Sequence, residues 1–259
     1  MQKVIGMTRN STAMLAIIFA TSMTSPGSAA AKPPRATGMR AEIQIGLCAP
    51  PDQIVQALAL RPRGAPIKVW LFDDPALTLY QRGLRLRLRV ADDRSEFTLK
   101  VADQDCARPD TRVVATTSEG KCEYDVHGTT MAGAVSITRR LSTESTGDLI
   151  AGRAAPAQSL SPAQINYLRE VIGLWPLAPG LRALGPTQVQ TYRTKGGPYD
   201  VDISQLPAGE QYVEISRKVP VPDAARAMGK LEAALSRAGL EMCADQSAQA
   251  VNKLRALLH

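Results

Sequence analysis

From Leu84 to Val90 the chain alternates at period two. Leu84, Leu86, Leu88 and Val90 fall on one face of a β-strand, and Arg85, Arg87 and Arg89 on the other. A helix could not separate these residues onto two faces. Successive arginines on the polar face stand about 7 Å apart, so they repel unless water, carboxylates or a bound anion compensates. The flanks repeat the design. Residues 69–72 form a short apolar strand ending in the turn signal Asp73, Asp74, Pro75, and Phe97, Leu99 and Val101 alternate with Thr98 and Lys100 on a second strand. Arg85, Arg87, Arg89 and Lys100 thus share one polar surface. Two arrangements satisfy it: an antiparallel sheet with one solvated face, or an enclosed interior that binds an anion.

The same periodicity marks other strands. Residues 41–47 set Glu42, Gln44 and Gly46 against Ile43, Ile45 and Leu47, and residues 121–126 set Lys121, Glu123 and Asp125 against Cys122, Tyr124 and Val126. Further strands are expected at 189–193, 199–204 and 211–219. Gly196 and Gly197 supply a hairpin turn, Asp200 and Asp202 share one face, and so do Glu214, Ser216 and Lys218. Pro50, Pro51 and Asp52 open a short helix reaching about residue 60, with Ile54 and Leu58 on its apolar stripe. Residues 102–120 read as a loop with a short strand near 111–116, residues 131–141 as a weak helix, and residues 151–159 as a linker.

Ser161, Pro162 and Gln164 form a capping box for a helix with Ile165, Leu168, Val171 and Ile172 on one face and Gly173 at its end. Pro176, Pro179, Gly180, Gly185 and Pro186 deny the next segment a long helix. Helices at 222–238, with Met228, Leu231 and Leu235 as core positions, and at 247–258 complete the chain. The order predicts an α+β fold: a closed antiparallel β-barrel, or tunnel, with helices packed outside. Closure gathers the charged faces into a lumen and removes exposed sheet edges.

Composition narrows the function. Residues 1–31 carry the marks of a secretory signal peptide: Lys3 and Arg9, an apolar run over 14–20, and the small residues Ser28, Ala29, Ala30 and Ala31. Residues 32–40 then read as a disordered linker and 41–259 as the folded domain, in an exported protein, periplasmic or extracellular. No later stretch is apolar enough to span a bilayer, so no membrane contact is expected beyond the signal peptide. Removing 1–31 lowers the formal net charge from +7 to about +5, which suits an anionic partner. Aromatic residues make up 4% of the chain, too few for base-stacking platforms, and no nucleic acid is expected. Cys48, Cys106, Cys122 and Cys243 allow three disulfide pairings, and export favours their oxidation. None has CxxC spacing and only His127 and His259 could join them, which argues against zinc.

The run VWLFDDPALTLYQRGLRLRLR at 69–89, followed by FTLKV at 97–101, resembles the CYTH, or triphosphate tunnel metalloenzyme, superfamily. There a YFDTP turn leads to GLxLRxR and a TLK strand. The KCEYDV strand at Lys121, the YVEIS strand at Tyr212 and the alanine-rich helix after Val221 agree in order. The resemblance implies a β-tunnel in which basic groups hold a triphosphate and acidic groups a divalent cation, Mg²⁺ or Mn²⁺. By position it assigns phosphate binding to Arg85, Arg87, Arg89, Lys100, Lys121 and Arg193, and metal binding to Glu42, Glu123, Asp125 and Glu214.

The opening motif departs from the family. ExExK reads here as Glu42, Ile43, Gln44, Ile45, Gly46, and Ser216 stands where a second glutamate is expected. An amide gives a hard cation a weaker field than a carboxylate does. Three readings follow: a metal-dependent triphosphatase, a tunnel that binds a small phosphate anion without cleaving it, and a structural domain with a solvated charged face. Cyclase chemistry fits an exported, aromatic-poor chain least. Oligomeric state is left open.

Overall fold

The computed structural model describes residues 39–92, 94–108, 111, 114, 118–246 and 248–258. The segments expected to be a signal peptide and a linker lie, apart from Met39 and Arg40, outside the described residues, and β1 already starts at Arg40. Ten strands are described: β1 Arg40–Leu47, β2 Arg61–Pro62, β3 Ile67–Asp73, β4 Leu84–Ala91, β5 Arg94–Val101, β6 Gly120–His127, β7 Thr130–Leu141, β8 Arg182–Arg193, β9 Asp200–Gln205 and β10 Gln211–Pro220.

Nine of them close a ring among the described residues. The order is β8, β3, β4, β5, β7, β6, β1, β10, β9 and back to β8, with β2 added at the end of β8. All pairings are antiparallel except β1 with β6, which is parallel. This is the expected closed barrel, with one parallel seam.

The barrel is apolar outside and polar inside. Leu84, Leu86 and Leu88 of β4, Phe97, Leu99 and Val101 of β5, and Val135 and Ile137 of β7 form one buried cluster with Leu149, Tyr167 and Leu168. Those last three come from helix α3, Thr143–Ile150, and from the π-helical turn Tyr167–Ile172 that continues α4, Pro162–Asn166. A second cluster joins Ala41, Ile43, Ile45 and Leu47 of β1, and Val213 and Ile215 of β10, to Met228, Leu231 and Leu235 of helix α5, Ala224–Arg237. Each helix covers strand faces that would otherwise expose apolar area, and burying one such side chain is worth about 1.5–3 kcal/mol. The other face of every strand has only the lumen left to it.

The capping box at α4 also ties helix to sheet. Ser161 Oγ accepts from Gln164 N, and Gln164 Oε1 accepts from Ser161 N, while Gln164 Nε2 donates to the Phe97 and Ile137 carbonyls. Gly173 ends this segment at φ 68°, as its position predicts.

Three expectations change. Residues 131–141 form strand β7, not a helix, paired with β5 on one side and β6 on the other. The strand at 189–193 begins earlier, at Arg182, and runs through Gly185 and Pro186, where its pairing with β3 shifts register between Val69 and Leu71. A glycine at φ 127° and a proline without an N–H are tolerated there because the ladder is already interrupted. The expected strand near 111–116 falls mostly outside the described residues, and the two described ones, Thr111 and Val114, are helical. The cysteine pairing is settled as Cys48–Cys243 and Cys106–Cys122.

Candidate functional site: a charged tunnel

The turn between β3 and β4 is built by two aspartates. Buried Asp73 accepts hydrogen bonds from the backbone N–H groups of Asp74, Leu79 and Tyr80, at 2.9, 3.0 and 2.9 Å. Asp74 accepts from Thr78 N–H, and hydrogen bonds from Thr78 hold its carboxyl below the usual range. Together they satisfy the exposed donors of the short helix α2, Thr78–Gln81. This places the Tyr80 ring 5.4 Å from the Arg85 guanidinium and launches β4 into the ring.

In register, Arg85 lies beside Lys100, Arg87 beside Thr98 and Arg89 beside Glu96. All three arginines face away from the leucine cluster, into the lumen. Arg87 Nε and Arg89 Nε are buried with no hydrogen-bond partner. Burial first, then the charges of Arg89 and Arg85, pulls the Arg87 guanidinium down to about 9, while Glu42 and Glu96 oppose that shift. Glu42 is on β1, across the ring from β4.

The acids on the facing wall are held by lysines. Lys100 Nζ lies 2.5 Å from Asp125. Glu123 receives Lys121 Nζ at 2.5 Å and Lys218 Nζ at 2.9 and 2.7 Å on its two oxygens. Lys218 also stands 3.8 Å from Glu42. Burial alone would raise the Glu123 carboxyl, but the hydrogen bonds from Lys121 and Lys218 bring it below its ordinary value. Burial lowers both lysines, and contact with Glu123 and Glu42 more than reverses this for Lys218, while Lys121 remains lowered.

Glu214 pairs in register with Asp202 of β9, and burial pushes its carboxyl up. Asp202 accepts from Thr191 Oγ1 at 2.6 Å. Arg193 leans away to the rim, where it and Arg63 share Asp200. Among the described residues no three His, Cys, Asp or Glu side chains come together closely enough to hold a metal ion. Three of the four acids assigned to a cation by the resemblance have lysine partners instead. The donor set does not fit a divalent-metal centre.

The segment after α5 is tied to the end of β1. Leu47 bridges to Met242, Cys48 is joined to Cys243, and the Gln246 amide donates to Gly46 O and accepts from Gly46 N–H. Helix α6, Ala248–Ala256, follows. Its Leu254 is buried with Leu77 and Leu184, and Lys253 Nζ stands 5.2 Å from the Tyr212 ring, where its charge acts on Glu214 and Asp202. Lys218 shares a strand face with Glu214, so period-two alternation could have nominated it. Nothing in the sequence pattern links Lys253 to the lumen.

No family model matches the chain, and no curated protein does. Solved structures do. A candidate adenylyl cyclase from Hippeastrum, for which a dominant triphosphatase activity is described, superposes with a TM-score of 0.53 at 17% identity, over 83% of this chain and 95% of that one. The chain has the CYTH-type fold. A candidate adenylate cyclase from Bacillus halodurans agrees, with a TM-score of 0.51 at 13% identity over 82% of this chain and 97% of its own. In this CYTH-type tunnel Arg85, Arg87, Arg89 and Lys100 line one wall, as the central motif predicts, whereas Arg193 stands at the mouth.

Proposed function

We propose that this protein binds a triphosphate or a longer polyphosphate inside the tunnel. Arg85, Arg87 and Arg89 are its principal ligands, with Lys100 and Lys121 beside them and Arg193 at the entrance. One observation carries the reading: Arg87 and Arg89 present buried Nε donors with no partner, in a row of like charges. Buried guanidinium donors left unmet are costly, and phosphate oxygens offer guanidinium groups short, charge-assisted and often bidentate hydrogen bonds. A barrel of this strand number has an interior suited to one small ligand.

The binder is favoured over the enzyme because, of the acids that would hold Mg²⁺ or Mn²⁺, namely Glu42, Glu123, Asp125 and Glu214, the first three are engaged by lysines, and no three come together closely enough to hold a cation among the described residues. Export belongs to the same proposal. It is supported by the leader pattern at 1–31 and by two disulfides, and no helix among the described residues is long and apolar enough to cross a membrane.

The test is a thermal melt of the purified protein with sodium tripolyphosphate, paired with a phosphate-release assay with and without Mn²⁺. Ligand at about a hundred times its Kd stabilises by about 2.7 kcal/mol, an increase of roughly 5–10 °C for a domain of this size. A shift without phosphate release is the expected result. Mn²⁺-dependent release would restore the enzyme, and neither shift nor release would remove phosphate from the account.

A further inference from the structure

Glu42 and Glu123, two of the acids that the resemblance assigns to a cation, are joined by one lysine. Lys218 leaves β10 opposite Glu42 of β1, crosses β1, and ends on Glu123 of β6. Its ammonium lies 2.9 and 2.7 Å from the two Glu123 oxygens and 3.8 Å from Glu42. Lys121 holds one of those same Glu123 oxygens, and Lys100 holds Asp125. Mg²⁺ needs carboxylate oxygens at about 2.0–2.1 Å in near-octahedral array. An ion bridging Glu42 and Glu123 would meet the ammonium at close range, as one positive charge against another.

We propose that Lys218 stands in for a divalent ion, so that the tunnel takes its polyphosphate as the free anion and not as a metal chelate. This rests on the binding reading above and specifies the form of ligand that it admits. The charge distribution agrees. On the acidic wall, Glu42, Glu123 and Asp125 are answered by Lys218, Lys121 and Lys100, while Arg87 and Arg89 opposite them have unmet Nε donors. The unmet positive charge is therefore on the arginine wall, and a free polyphosphate answers it better than a chelate whose charge the metal has already reduced. The losses in the opening motif fit as well, since Gln44 and Ser216 are neighbours in register and neither brings a carboxylate back to the site.

Two measurements test this. In the first, tripolyphosphate is titrated calorimetrically into the full protein in EDTA, then in saturating Mg²⁺. Binding is expected at full strength in EDTA and at least about tenfold weaker in Mg²⁺. Binding that requires Mg²⁺, or is strengthened by it, overturns the proposal. In the second, Mn²⁺ is added to ligand-free protein and followed by electron paramagnetic resonance. The wild type should leave the signal of free Mn²⁺ intact, and Lys218→Met, which keeps the apolar stem, takes the ammonium off Glu42 and leaves Glu123 with Lys121 alone, should diminish it.

Wild-type Mn²⁺ binding that Glu123→Gln abolishes overturns the proposal. So does a folded Lys218→Met protein that binds none. Should that variant fail to fold by circular dichroism, the wild-type measurements decide alone. Absence of tripolyphosphate binding in both EDTA and Mg²⁺ refutes the binding function itself, and the Mn²⁺ experiment still judges Lys218.

Discussion

Arg87→Ala is expected to weaken tripolyphosphate binding by about 10- to 100-fold, because hydrogen bonds to charged groups contribute about 1.5–3 kcal/mol each. Arg87 is the middle rung of the ladder, flanked by Arg85 and Arg89, and its buried Nε lacks a partner. The ligand-free protein should respond in the opposite direction. Arg87→Met keeps the apolar stem but removes a charge held among like charges, which relieves its repulsion with Arg85 and Arg89. The melting temperature without ligand should rise while the shift caused by tripolyphosphate disappears. Function and stability pull apart at this residue. Unchanged affinity in Arg87→Ala would show that β4 is not the binding wall.

The second large effect concerns the tail. Cys48→Ser with Cys243→Ser should lower stability by about 2–5 kcal/mol, on the order of 10 °C for a domain of this size. The Cys48–Cys243 bridge closes a loop of 195 residues around nearly the whole barrel, whereas Cys106–Cys122 spans only 16. The chain-entropy account makes the longer closure worth more. Native contacts point the same way. The long bridge fixes the segment that bonds to Gly46 and leads into α6, whose Leu254 is buried with Leu77 and Leu184 and whose Lys253 stands by the Tyr212 ring. Melts of the two double-serine proteins check this. A greater loss from opening Cys106–Cys122 would contradict the role given to the tail.

The barrel was legible wherever one face is strictly apolar and the other strictly polar. β4 and β5 are of that kind, and their partnering across one short turn follows from adjacency in the chain. β7 was hidden because Met131, Ala132, Gly133 and Ala134 lack strand-forming side chains. The structure supplies the reason at one of them: a Cβ on Gly133 would collide with the carbonyl oxygen of Gln104, which packs against it. β8 was hidden in its first half because Gly185 and Pro186, usually strand breakers, sit at a bulge.

The lysine–carboxylate clusters could not be read in advance. Lys121 and Glu123 share a face of β6, but the Lys218 contacts depend on β6, β1 and β10 lying side by side, and Lys100 reaches Asp125 only because β7 separates β5 from β6. Sequence alternation identified which residues face inward. Only the ring order reveals that Lys218 meets Glu123 across 95 positions.

A crystal structure of the protein with tripolyphosphate tests the central claim most directly. Phosphate oxygens within hydrogen-bond distance of the Nε atoms of Arg87 and Arg89, inside the ring, are the predicted result. Tripolyphosphate bound on the outer surface, with both guanidinium groups facing only water, would contradict it.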